Sequence, residues 1–236
     1  MAQKKLQRFE AIKSFPNVLQ YPEGMAGKWN DFFKNKYPIT LELACGKGEY
    51  SVGLAKMNPK RNFIGVDIKG NRIYMGAKKS IEEKIFNAAF LRTQIDRISE
   101  YFQKDEVSEI WLPFPDPQLR VSKTKKRLTH PKFLRLYQQF LIPGGLIHLK
   151  TDSPVLYSFT KTVIELYGLV MHIQYADIYA EPDIPKELQI KTYYEGLDIA
   201  QSRKLYYICF SLPASILPSI DHILQERIKE NEAAIH

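Results

Sequence analysis

Two stretches of this chain carry residue types and spacings suited to chemistry. The first is Trp111–Lys132, W-L-P-F-P-D-P-Q-L-R-V-S-K-T-K-K-R-L-T-H-P-K. A short apolar run leads into three prolines, Pro113, Pro115 and Pro117, which give no amide hydrogen to a ladder and so end a strand. Asp116 sits between two of them. From 117 to 151 there are eight Lys and Arg and no Asp or Glu, against a net charge of +8 for the chain. The rest of the molecule therefore balances to zero. A braced acid beside concentrated positive charge points to chemistry on a polyanion.

The second stretch is L-E-L-A-C-G-K-G-E-Y, residues 41–50. Gly46 and Gly48 fall between an apolar strand and a helical pattern, where the backbone must turn sharply and admit a ligand. The dinucleotide fingerprint G-x-G-x-x-G is not met: Ala44, Gly46 and Gly48 are followed by Ser51 where the last glycine would stand. Glu42, two residues ahead of Ala44, would repel a pyrophosphate and welcome a cation. S-adenosylmethionine, with its sulfonium and ammonium, fits that preference. Asp67 ends the next strand, where an acid grips ribose hydroxyls in nucleotide-binding sheets.

The elements that must hold these residues alternate. Strands are expected at 39–44, 62–67, 88–93, 107–112, 146–150, 169–175 and 205–212. Helical patterns fall at 49–57, 70–84, 98–103, 130–141, 154–167 and 220–234, with a Pro-Gly-Gly turn at 143–145. Alternation predicts an α/β fold with a doubly wound, mostly parallel seven-stranded sheet. Nothing helical separates the last two strands, so the final one should run antiparallel. Residues 180–191, with Pro182 and Pro185, read as a loop.

The first 36 residues read as an N-terminal basic arm (Lys4, Lys5, Arg8, Lys13), and 37–236 as the catalytic domain. The arm either packs on the domain or lies on nucleic acid. At 236 residues and 44% hydrophobic, the chain has the material for one real core. Cys45 and Cys209, the only cysteines, lie in apolar runs, so neither a disulfide nor a metal site is expected. No run of about 18 apolar residues predicts a membrane span, and the N-terminus lacks a signal-peptide core. A cytoplasmic protein is the expectation.

With both motifs in hand, the chain resembles the class I S-adenosylmethionine-dependent methyltransferases (Rossmann-like). More specifically, it is similar to the bacterial tRNA (guanine-N7)-methyltransferases, which modify guanine 46 of the variable loop. The likeness spans roughly residues 41–212. It is carried by F-P-D-P at 114–117, K-K-R-L-T at 125–129, T-D at 151–152 and T-x-x-E at 192–195. The resemblance implies a cofactor site of Glu42, Ala44, Gly46, Gly48, Asp67, Gln94 and Asp116, with Asp116 also the catalytic residue. It implies substrate contacts at Arg120, Asp152, Thr192, Tyr193, Tyr194 and Glu195. Ala44 replaces the family's usual glycine. Gln94 stands where an Asp usually faces the adenine, with Asp96 two residues on, and a Gln carbonyl can accept the adenine amino hydrogen. Gln118, Arg120 and Ser122-Lys123 replace the usual Trp, Lys and Arg-His.

Guanine N7 has a free lone pair, so methylation there needs alignment and electrostatics rather than a strong base. Asp116, and with it Asp152, would favour the positive charge that develops on the purine. Glu195 would accept the guanine N1 and N2 hydrogens. Lys123, Lys125, Lys126 and Arg127 would hold tRNA phosphates. His148 and His172 read as ordinary strand residues. Two other functions stay open: an amino-group nucleic-acid methyltransferase, or an RNA-binding protein that keeps the fold without catalysis.

Overall fold

The computed structural model describes residues 2–193, 195–197 and 204–233. Its strands are β1 (Val18–Gln20), β2 (Ile39–Leu43), β3 (Asn62–Asp67), β4 (Ala88–Arg92), β5 (Val107–Pro113), β6 (Leu141–Thr151), β7 (Val170–Tyr175) and β8 (Tyr206–Ser211). They form one sheet in the order β1-β4-β3-β2-β5-β6-β8-β7. All pairs from β1 to β6 are parallel, and β8 runs antiparallel to both β6 and β7. Every residue of β2 and β3 is buried, as a parallel sheet covered on both faces requires.

Seven helices flank the sheet among the described residues: α1 (Ala2–Ala11), α2 (Trp29–Phe33), α3 (Glu49–Met57), α4 (Gly70–Glu82), α5 (Pro131–Tyr137), α6 (Pro154–Leu166) and α7 (Asp221–Ala233). On one face Ile110, Leu112, Leu149 and Phe210 pack with Trp29, Phe133, Phe159 and Leu224. On the other, Trp111, Tyr207 and Cys209 meet Tyr50 and Leu54 of α3 and Ile178 and Leu188 of the 176–197 loop. Both cysteines are free and buried. No helix of the described residues is long and apolar enough to cross a membrane.

The sheet has eight strands where seven were expected. The added one is β1, which pairs Val18 with Phe90 and Gln20 with Arg92. Three residues between Pro16 and Pro22 are too few to show alternation. Other residues before 37 also join the packing: Ile12 and Trp29 are fully buried, and the Trp29 indole donates to Tyr101 O at 2.8 Å. The helix expected over 130–141 ends at Tyr137, because Leu141 already pairs with Val107. The next pair in register is Glu109 with Leu146, so Ile142-Pro-Gly-Gly145 loops out between them. The 98–103 helix is instead a 3-10 turn over Ile95–Glu100.

Candidate active site

Strand order reverses between β2 and β5. From β2 the chain builds outward through β3 and β4, and from β5 it builds the other way through β6. The carboxyl ends of β2 and β5 therefore flank a switch point, where ligands bind in open α/β sheets. Glu42 pairs in register with Trp111, so the turn at 44–48 and the F-P-D-P loop emerge side by side.

The turn runs through left-handed backbone at Ala44 (φ 58°), Gly46 (φ 55°) and Gly48 (φ 72°). Gly48 needs its missing Cβ twice over, since a Cβ there would sit 2.4 Å from the Phe90 ring. Ala44 is the exception, an L-residue in a conformation that crowds its own Cβ.

Two cavities meet at Ala44. The smaller, about 140 Å3, is lined by Glu42, Gly46, Phe114, Thr192 and Tyr193 among others. The larger, about 500 Å3, is lined by Asp67, Gln94, Ile95, Asp96, Lys126 and Lys132 among others. Glu42 is 3% exposed and accepts from the Ser51 amide at 2.7 Å and from its hydroxyl. Burial pushes its pKa up to about 8, against the pull of those Ser51 bonds. An ammonium beside it would supply the charge that burial withholds. Each oxygen of Asp67 takes one amide, from Gly46 at 2.9 Å and Lys69 at 2.8 Å. A carboxylate oxygen has a second lone pair, so both can still accept ribose hydroxyls. These donors and acceptors fit S-adenosylmethionine, methionine end at Glu42 and ribose at Asp67. Gln94 is exposed at the second cavity, and Asp96 beside it pairs with Lys132.

The F-P-D-P loop is held from below. Phe114 N donates to Lys150 O at 2.7 Å, and Phe114 and Gln118 both take left-handed φ, 49° and 47°. Asp116 is exposed between them, and its Oδ1 accepts the Gln118 amide at 2.9 Å. It stands on the loop that lines the smaller cavity through Pro113 and Phe114. Arg120 is exposed just before a 3-10 turn over Val121–Lys126, which presents Lys123, Lys125 and Lys126 to solvent.

Arg127 departs from the phosphate-binding expectation. It is 3% exposed, its Nε donates to Pro117 O at 3.0 Å and its Nη2 to Gln118 O at 3.2 Å. Its guanidinium lies 4.6 Å from the Phe159 ring centroid. A buried side chain cannot meet a phosphate; Arg127 braces the F-P-D-P loop instead.

Glu195 also departs from its expected role. Its Oε2 pairs with Lys150 Nζ at 2.9 Å, and its Oε1 accepts from Tyr179 OH. Lys150 is fully buried and also donates to Leu188 O at 2.9 Å and Ile190 O at 3.2 Å. Both oxygens are engaged, so Glu195 ties the loop to β6. Thr192 Oγ1 accepts the Glu195 amide at 3.2 Å, and Tyr193 stacks under Lys47 Nζ, 3.0 Å from its ring centroid. Asp152 is half-buried just ahead of Ser153, whose hydroxyl caps α6. Tyr194 lies outside the described residues. Sequence reasoning passed over Lys150 and Phe114; a lysine ending the apolar run L-I-H-L-K was the signal for the first.

Comparison with known proteins gives the family. A family profile described as "Putative methyltransferase" matches residues 36–208. The tRNA (guanine-N(7)-)-methyltransferase of Porphyromonas gingivalis is 47% identical over 213 residues, 85% of this chain and 86% of that protein. Its namesake from Bacteroides fragilis is 46% identical over 222 residues, 90% and 87%. The chain belongs to the tRNA (guanine-N7)-methyltransferase family. The 16S rRNA methyltransferase KamB superposes with TM-score 0.61 at 14% identity, covering 86% of this chain and 99% of that one. At that identity the likeness speaks for the fold alone.

Proposed function

We propose that this chain methylates N7 of a guanine in tRNA with S-adenosylmethionine, at guanine 46 of the variable loop. The observation that carries the reading is the pair of cavities meeting at Ala44, with buried Glu42 in one and Asp67 in the other. The smaller of them is lined by Phe114 of the F-P-D-P loop, in a chain from this family. The cofactor, when bound, supplies a methyl made electrophilic by its sulfonium.

The chain's own residues then align and stabilise. Glu42 receives the ammonium, Asp67 the ribose, and Gln94 the adenine edge. Thr192 and Tyr193, on the loop tied down by Lys150, close the smaller cavity opposite Phe114. No proton has to leave N7 before it reacts, so no general base is required. Asp116 offers a carboxylate to the purine as it turns cationic, and Asp152 follows the end of the neighbouring strand β6. Arg120, Lys123, Lys125 and Lys126 hold the phosphates.

The deciding experiment is transfer of a tritiated methyl group to unmodified tRNA, followed by nucleoside analysis. Label in N7-methylguanine, with borohydride and aniline cleavage at a single variable-loop position, is the expected result. Label in an amino-methylated base, or S-adenosylmethionine binding without transfer, overturns the reading.

A further inference from the structure

A further cavity is larger than either of the two at Ala44. It is a groove of about 1200 Å3 along α1, α3 and α4. Lys47 and Glu49 line both this groove and the smaller cavity, so the two adjoin at these residues. Seven Lys and Arg line the groove against three Glu, an excess of four positive charges. Outside 117–151 the chain is neutral in sum, so this excess is a local concentration and not a share of a general basicity.

The three carboxylates are already engaged. Glu83 pairs with Lys56, Glu82 with Lys78 at 3.4 Å, and Glu49 accepts the Tyr193 amide at 3.3 Å. Lys4, Arg8, Lys47, Lys79 and Lys191 carry the excess. Two of them are aimed by aromatic rings. The Arg8 guanidinium lies 5.6 Å from the centroid of Tyr74, itself stacked on Phe15, and Lys47 lies over Tyr193. Lys4 and Arg8 sit one turn apart on α1, about 6 Å along the axis. Neighbouring phosphates of a nucleic-acid strand can meet both.

We propose that this groove is a second phosphate track, holding the tRNA strand that leads away from the target guanine. None of the residues that line it belongs to the Lys123–Lys126 turn. A base placed beside Phe114 and Tyr193 is next to Lys47, which also lines the groove. The proposal rests on the tRNA reading above and adds a surface that reading does not need. It gives the first helix, α1, a part in substrate binding as well as in packing.

The test uses the full chain and an unmodified tRNA transcript, with affinity measured across a potassium chloride series. Each phosphate contact contributes about 0.7–0.9 to the slope of log affinity against log salt. The triple variant Lys4→Ala/Arg8→Ala/Lys79→Ala should flatten that slope by about 2–3. Its S-adenosylmethionine affinity, read by calorimetry, should match wild type. Lys4→Gln/Arg8→Gln, which stays polar and keeps helix propensity, should flatten it by about 1.4–1.8 and guards against a loss of α1. A wild-type slope in both variants overturns the groove while leaving the tRNA reading intact. Failure of the wild-type chain to bind the transcript overturns that reading itself.

Discussion

Lys150 and Glu195 form a largely buried ion pair, 2.9 Å apart, that ties the end of β6 to the loop carrying Thr192 and Tyr193. Burial lowers the lysine's pKa, and Glu195 opposes that shift by favouring the charged form. Removing one partner strands the other charge in the interior, at a cost of about 3–5 kcal/mol. Lys150→Met and Glu195→Gln should each destabilise the protein in urea and depress methyl transfer. The double variant leaves no stranded charge and should recover much of both. If Glu195 instead reads the guanine edge, the double variant will be as inactive as Glu195→Gln alone.

Glu42 should make stability depend on pH in the direction opposite to an ordinary acid. Its folded-state pKa is about 8 against an ordinary 4.5, so between those values the folded chain holds a proton that the unfolded chain lacks. Its contribution is greatest below about 4.5 and declines as pH rises towards 8. Each pH unit within the window removes about 1.4 kcal/mol. Glu42→Gln should flatten this part of the profile, visible as the difference in urea midpoints between pH 5.5 and 8. Binding of a cationic cofactor near neutrality should release a proton in wild type and none in Glu42→Gln. Calorimetry in buffers of different ionisation enthalpy counts it.

Asp116→Asn keeps the oxygen that accepts the Gln118 amide, so the loop should fold as before. Only the negative charge is lost. Turnover should fall about 100-fold or more, the scale of removing one electrostatic partner of a transition state. The tRNA affinity should stay near wild type. Undiminished turnover would remove Asp116 from the chemistry.

The three exposed lysines after that loop make the complementary prediction. Lys123→Ala/Lys125→Ala/Lys126→Ala should flatten the salt dependence of tRNA affinity by about 2–3, with less effect than Asp116→Asn on turnover at saturating tRNA. Arg127→Ala should behave otherwise. It removes the donors to Pro117 and Gln118 and should destabilise the fold by about 1–3 kcal/mol. Thermal melts separate the two classes, and an Arg127→Ala protein as stable as wild type with a flattened slope would return Arg127 to the phosphate surface.

Ala44 holds φ 58° with a Cβ in place. Ala44→Gly removes that crowding at some cost in unfolded-state entropy, and should stabilise the fold by about 0.5–1 kcal/mol. Cofactor affinity should be equal or tighter, since the turn keeps its shape. A loss of stability in denaturant titration would mean that the Ala44 methyl earns its place by packing.

The α/β alternation, the antiparallel last strand, the acid-and-glycine turn and the F-P-D-P loop were all legible in the sequence. Each is a local pattern: periodicity over 6–14 residues, proline where a ladder must end, glycine where φ turns positive. These patterns carry the family resemblance as well, because a short motif keeps its spacing wherever it is placed. Tertiary structure decided the rest. Arg127 sits among lysines of the same charge, yet it alone turns inward, because Phe159 on α6 and two carbonyls of the loop lie under it. Glu195 reads as a substrate residue by its motif, and only the folding of β6 against the 176–197 loop brings Lys150, 45 positions earlier, to its carboxylate. The strand at 18–20 exists only because β4 offers it an edge. Spacing along the chain sets which residues can share a face; which charge is buried, and against what, depends on partners far away in sequence, and no local pattern records them.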